Sequence, residues 1–123
     1  MVLVDTSIWV DHLRSGHPHL TALLIRNAVS AHPWIVGEIA CGNIQNRAEV
    51  LKRLRMLPPV TVAREDEVLF FIEKHQLMGK GIGYIDAHLV AAAIAQGLKF
   101  WTRDKRLIAA VGGLGILYVP PVI

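Results

Sequence analysis

The chain has 123 residues, 53% hydrophobic and 19% charged, which excludes a disordered segment and allows one domain with a sizeable core. Its longest uninterrupted apolar run, residues 89–95, falls far below the roughly 20 residues a membrane span needs, so no membrane partner is expected. Thirteen Lys and Arg against ten Asp and Glu leave a net charge of +3, a mild lean toward anionic partners.

Asp5 and Asp11 come too early for a basic-then-apolar signal segment, so a cytoplasmic location is expected. Cys41 is the single cysteine, which excludes an intrachain disulfide; it is expected to be a small buried hydrophobe rather than a nucleophile.

The opening MVLVDTS contains an apolar run at 2–4 that reads as a short buried strand cut off by polar residues. Helical spacing follows over 7–14, then the turn SGHP, then a second helix over 19–29 through Leu20, Leu23, Leu24 and Ala28. A third helix starts at Pro33, a favourable first position, and stops at Gly42-Asn43. Val50, Leu51, Leu54 and Leu57 mark a fourth helix over 47–57, ended by Pro58-Pro59, and VTV at 60–62 fits a brief strand. Glu65, Asp66 and Glu67 supply negative charge to the first turn of a helix reaching Met78. GKGIGY lacks the Lys-Ser/Thr pair of a phosphate-binding loop and reads as a flexible connection. An alanine-rich helix over 85–96, a strand at 98–102, a helix over 103–111 and a strand at 116–119 complete the chain. Helices alternating with short apolar strands predict a single α/β/α sandwich with a mainly parallel central sheet over 1–123.

In such sheets, sites form beyond the carboxyl ends of the strands, and Asp5 and Asp104 both follow a predicted strand. Taken alone, Asp5 is more simply an N-cap of the first helix, because Asp, Ser and Thr are the common caps. Thr102 is placed to cap a helix starting at Arg103, and Asp104 to make a surface ion pair. Glu38 lies one turn from Ile35 and from Cys41, bordering the apolar stripe of its helix. Asp86 occupies the first turn of an otherwise nearly uncharged helix, where it complements the helix dipole. Gathered in one pocket, these four acids would leave 13 basic against six acidic residues elsewhere, a basic body around an acidic hole. That segregation suits a polyanion held by its phosphates. Hard cations such as Mg2+ or Mn2+ take oxygen ligands, and without one two carboxylates about 6 Å apart repel by roughly 3 kcal/mol at an effective dielectric near 20.

The successive segments VLVDTSIWVDHLR, VGEIACGN, GIGYIDAHLVAAA and KFWTRDKRL resemble the motifs of PIN-domain proteins, and more narrowly the VapC-type ribonuclease toxins of toxin–antitoxin modules. The resemblance runs in order from Val2 through at least Leu107 and matches Asp5, Glu38, Asp86 and Asp104 to the family's four acids. It implies Mg2+- or Mn2+-dependent endonucleolytic cleavage of RNA, a homodimer, and a cognate VapB-type antitoxin whose C-terminal segment occupies the acidic groove. The expected roles are direct metal ligation by Asp5 and Asp86, with Asp104 serving the same or a second ion. Glu38 binds metal or orients the attacking water. Thr6, Ser7 and Thr102 are candidates to hold the acids in place. Arg103, Lys105 and Arg106 either contact RNA phosphates or form solvated surface.

The six histidines show no zinc-ligand spacing, and His88 is expected to be packed or solvated. Trp9, Trp34 and Trp101 lie within apolar runs and read as core rather than base-stacking platforms, and Lys52, Arg53 and Arg55 as the wet side of a helix or an RNA face. Two other readings remain. A receiver-type phospho-acceptor domain would need adjacent acids after the first strand, where Thr6 stands beside Asp5. A non-catalytic RNA-binding module would use only the basic surface.

Overall fold

The computed structural model describes residues 1–121. Val2–Val4 form β1, and all three residues are buried, as expected of a strand covered on both faces. β1 is the central strand. It pairs in parallel with β2 (Val29–Ser30) through Val2 opposite Val29, and with β3 (Lys99–Trp101) through Leu3 opposite Phe100. Single parallel bridges extend the sheet at both edges, Ala31 to Pro59 and Phe100 to Leu117. The strand expected at 116–119 is therefore reduced to a bridge at Leu117, while residues 60–62 form no strand and the bridge falls just before them at Pro59. Val60 N–H still donates to Ala31 at 2.9 Å, and Tyr118 N–H to Phe100 at 2.8 Å.

The helices are α1 (Thr6–Ser15), α2 (Pro18–Ile25), α3 (Pro33–Ala40), α4 (Arg47–Met56), α5 (Glu65–Lys74), α6 (Tyr84–Ala95) and α7 (Lys105–Val111). α6 is buried at every position from Ala87 to Ala93, which explains why, apart from His88, that stretch is apolar. Phe100, Leu3, Leu20, Ile35, Leu89 and Leu107 are the largest fully buried apolar side chains, each contributing about 1.5–3 kcal/mol of transfer free energy. No helix among the described residues is long and apolar enough to cross a membrane.

Three helices close in the same way. After α2, α5 and α6 the chain enters a left-handed residue, Asn27 (φ 55°), Gln76 (φ 51°) and Gly97 (φ 68°). The next residue then bonds back across the last turn: Ala28 to Leu23 (2.9 Å), Leu77 to Ile72 (3.0 Å) and Leu98 to Ala93 (2.8 Å). This closure ends α2 at Ile25 rather than at 29 and α5 at Lys74 rather than near Met78. It also frees Val29 and Ser30 to form β2, a strand the apolar pattern concealed. Cys41, expected to be buried, is exposed at the end of α3. Because all three strands run the same way, the residues following β1 and β3 meet at one edge of the sheet.

Candidate active site

Asp5 is 7% exposed and occupies the N-cap position of α1, yet its side chain makes no capping bond. Its Oδ2 instead accepts hydrogen bonds from Thr102 Oγ1 at 2.7 Å and Ser7 Oγ at 3.0 Å. The cap reading of the opening stretch is thereby corrected. Its backbone N–H donates to the Trp101 carbonyl at 2.8 Å, so the residue is locked to the end of β3. A carboxylate this buried requires such partners.

Thr102 is buried beside it and does not cap α7; its hydroxyl oxygen accepts from Asp104 N–H at 3.1 Å while donating to Asp5. Asp104 caps α7, with Oδ1 accepting from Arg106 N–H (2.9 Å) and Leu107 N–H (3.2 Å), and forms no ion pair among the described residues. Glu38, expected on the border of the apolar stripe, is exposed as a residue on α3. Thr6 Oγ1 donates to its Oε1 at 3.1 Å. Asp86 is half-buried in the first turn of α6, and Gly83 N–H donates to its Oδ2 at 3.4 Å.

Glu38 and Asp86 respond to burial and to the neighbouring acids. Partial desolvation raises the Glu38 pKa; the Thr6 bond opposes this, and the charges of Asp5 and Asp86 add to it. Desolvation likewise raises Asp86, opposed by the Gly83 bond and reinforced by Asp5 and Asp104. Asp86 is thus linked to the other three. No salt bridge among the described residues joins any of the four to a cationic side chain. Each holds one oxygen in a local hydrogen bond, while Asp5 Oδ1, Glu38 Oε2, Asp86 Oδ1 and Asp104 Oδ2 accept none from the described residues. Uncompensated carboxylate oxygens of this kind suit a hard cation. Among the described residues, however, no three His, Cys, Asp or Glu side chains form a ready-made ion cage.

Around this centre, Arg103 does not stand free. Its Nε lies 2.8 Å from Asp11 Oδ2 and its Nη2 donates to Asp11 Oδ1 at 3.2 Å, a two-point pairing that sequence reading missed. His88 is buried, in tilted contact with Trp34 (4.3 Å) and edge-on to Tyr84 (4.6 Å), as a packed histidine would be. Trp9 and Trp101 are core residues, whereas Trp34 is only partly buried. Lys52, Arg53 and Arg55 are exposed on α4, with Arg53 paired to Glu49 at 2.8 Å.

The sheet order, the parallel register and the acids at the strand ends define a nuclease-like α/β fold, and comparison with known proteins is consistent with that class. The PIN domain family model matches residues 2–114, and the chain belongs to the PIN-domain family. It is 41% identical over 117 residues, 94% of each chain, to Ribonuclease VapC32 of Mycobacterium tuberculosis strains CDC 1551 and H37Rv, which puts it with the VapC-type ribonuclease toxins. Among solved structures it is similar to a toxin–antitoxin complex from Klebsiella pneumoniae (TM-score 0.74, 17% identity, 100% of both chains). It is also similar to FitAcB from Neisseria gonorrhoeae (TM-score 0.62, 21% identity, 91% of this chain and 94% of that one). At those identities the structural likeness speaks to the fold alone.

Proposed function

We propose that this protein cleaves RNA endonucleolytically with water as the nucleophile, using Mg2+ or Mn2+ held among Asp5, Glu38, Asp86 and Asp104. The observation that carries the reading is that each of these acids keeps one carboxylate oxygen free of hydrogen bonds from the described residues and none is paired with a cationic side chain among them, while burial first and neighbouring acids second raise the pKa of Glu38 and Asp86. Acids with free carboxylate oxygens and no cationic partner are explained by a divalent cation that takes oxygen ligands.

Asp5 and Asp86 are the direct ligands in this reading, offering the Oδ1 atoms left over from their anchoring bonds. Asp104, fixed as the α7 cap, presents Oδ2 to the same or a second ion. Glu38, with its raised pKa, binds metal or orients the attacking water through Oε2. A cation bound there activates water and offsets the charge growing on the phosphodiester. Thr6, Ser7 and Thr102 position these acids through their hydroxyls. No Ser, Cys or His forms a covalent intermediate.

In its cellular setting the protein is a toxin, active in the cytoplasm as a homodimer and silenced by a cognate VapB-type antitoxin whose C-terminal segment enters the acidic groove. The test is cleavage of labelled cellular RNA by purified protein, followed by sequencing of the ends. Cutting that requires Mg2+ or Mn2+, stops with EDTA and collapses in Asp5→Asn supports the reading. Wild-type rates in Asp5→Asn would refute the site. RNA bound yet left intact in Mg2+ would favour a non-catalytic binding module.

A further inference from the structure

Resting on the ribonuclease reading, we propose that Lys80, Lys105 and Arg106 form the anchor for an RNA backbone phosphate next to the bond being cut, and that Gly81 positions Arg106 for it.

Of the thirteen Lys and Arg, three are paired with acids and the other ten make no ion pair among the described residues. Arg53, Arg64 and Arg103 are each committed to an acid, at 2.8 Å from Glu49, 3.1 Å from Asp66 and 2.8 Å from Asp11. Lys80, Lys105 and Arg106 are exposed and pair with no acid among the described residues. Together with Ala109 and Ala110 they line one open groove of about 400 Å³. Unpaired cations over a floor of small apolar side chains leave charge available to an anion with little to displace.

Two tethers fix this groove to the carboxylates. The Arg106 backbone N–H donates to Asp104 Oδ1 at 2.9 Å. The Arg106 side chain leans the other way, across Gly81, two residues before the Gly83 whose N–H holds Asp86. Gly81 has φ +78°, and a Cβ there would stand 3.0 Å from Arg106 Cδ, 3.6 Å from Nε and 3.7 Å from Nη1. The absent side chain is the track along which the guanidinium lies. Arg106 therefore reaches from α7, capped by Asp104, to the loop preceding the helix of Asp86, with none of its donors on an acid among the described residues. A planar fork held against backbone is suited to a phosphate diester, and the contact is independent of base sequence.

The experiment measures binding of a single-stranded RNA oligonucleotide in EDTA, by fluorescence anisotropy over a range of KCl concentrations. Arg106→Gln should bind roughly three- to tenfold more weakly, with the slope of log K against log salt shallower by about 0.7. Lys80→Gln combined with it should double the change in slope, and Arg53→Gln, a committed arginine, should leave it unchanged. Gly81→Ala, with folding checked by thermal denaturation, should reproduce the loss seen in Arg106→Gln. Wild-type affinity and slope in Arg106→Gln would overturn the anchor, and Gly81→Ala folding and binding normally would overturn its positioning role. Cleavage in Mg2+ separates the two readings. If the wild type cuts RNA while Arg106→Gln has unchanged KM and binding, the anchor alone is wrong. If binding follows the predicted slopes but RNA stays intact, the ribonuclease reading alone is wrong.

Discussion

Thr102 and Asp5, 97 positions apart, are joined by a 2.7 Å hydrogen bond that fastens the end of β3 to the end of β1. The same hydroxyl receives Asp104 N–H at 3.1 Å, so one buried side chain sets the spacing of two acids. Thr102→Val keeps the shape and removes both bonds. It should cost about 1–3 kcal/mol by leaving Asp5 under-bonded, and slow RNA cleavage about 10- to 100-fold, as loss of a group orienting a metal ligand does. Thr102→Ser should recover most of the rate. Thermal melts and single-turnover cleavage read the two effects separately.

Asp86 carries the opposite expectation. Its pKa and that of Glu38 are raised in the folded state, so between the unfolded and folded values the native protein binds more protons than the unfolded chain. Their contribution is fully present at low pH and is lost as pH rises through the folded pKa. At neutral pH the metal-free protein therefore holds these charges at a cost. Asp86→Asn should melt in EDTA at or above the wild-type temperature while losing RNA cleavage. A lower melting temperature in EDTA would contradict this.

His32 works in the other direction. It is fully buried, its Nδ1 accepts Trp34 N–H at 3.0 Å to cap α3, and its Nε2 has no partner among the described residues. Burial, and secondarily the nearby His88, lower its pKa to about 4. The unfolded chain then binds the extra proton first, so stability should fall as pH drops from 6.5 toward 4. His32→Asn retains an acceptor for the cap. It should melt lower at pH 7 because of the smaller side chain, yet lose much of the decline between pH 6.5 and 4. An unchanged pH profile would count against His32 as the source.

Gln76 closes α5 in a left-handed conformation (φ 51°) that Gly97 adopts freely after α6. Gln76→Gly should stabilise the protein by about 1 kcal/mol by relieving that conformation, measured by urea denaturation. Gly97→Ala should destabilise by a similar amount through backbone strain alone, since nothing lies within 4 Å of the added Cβ.

These closures also explain which parts of the fold were legible. Val2–Val4 and Lys99–Trp101 announce themselves as apolar runs before polar clusters, and α6 as an alanine-rich helix stopped by glycine. β2 and the true end of α5 were hidden because Asn27 and Gln76 respectively mark helix ends by conformation, which hydrophobic periodicity does not register. Residues 60–62 and 116–119 have strand composition but lie at the sheet edges, where the pairing is limited to single bridges at Pro59 and Leu117. At the site, the four acids were visible as polar residues at strand ends and in apolar helices. Which residue capped which helix was not, because Asp5, Thr102 and Asp104 all have capping chemistry and only the packing of β1 on β3 assigns the bonds. The Asp11–Arg103 pair, 92 residues apart, and the passage of Arg106 over Gly81 are tertiary contacts with no local signature.

The central claim is that repelling carboxylates from separate elements become a cation site. Calorimetric titration of Mn2+ into the wild type and into Asp86→Asn tests it most directly. The account predicts saturable binding by the wild type and at least tenfold weaker binding by the variant. Equal affinity in the two proteins would contradict it.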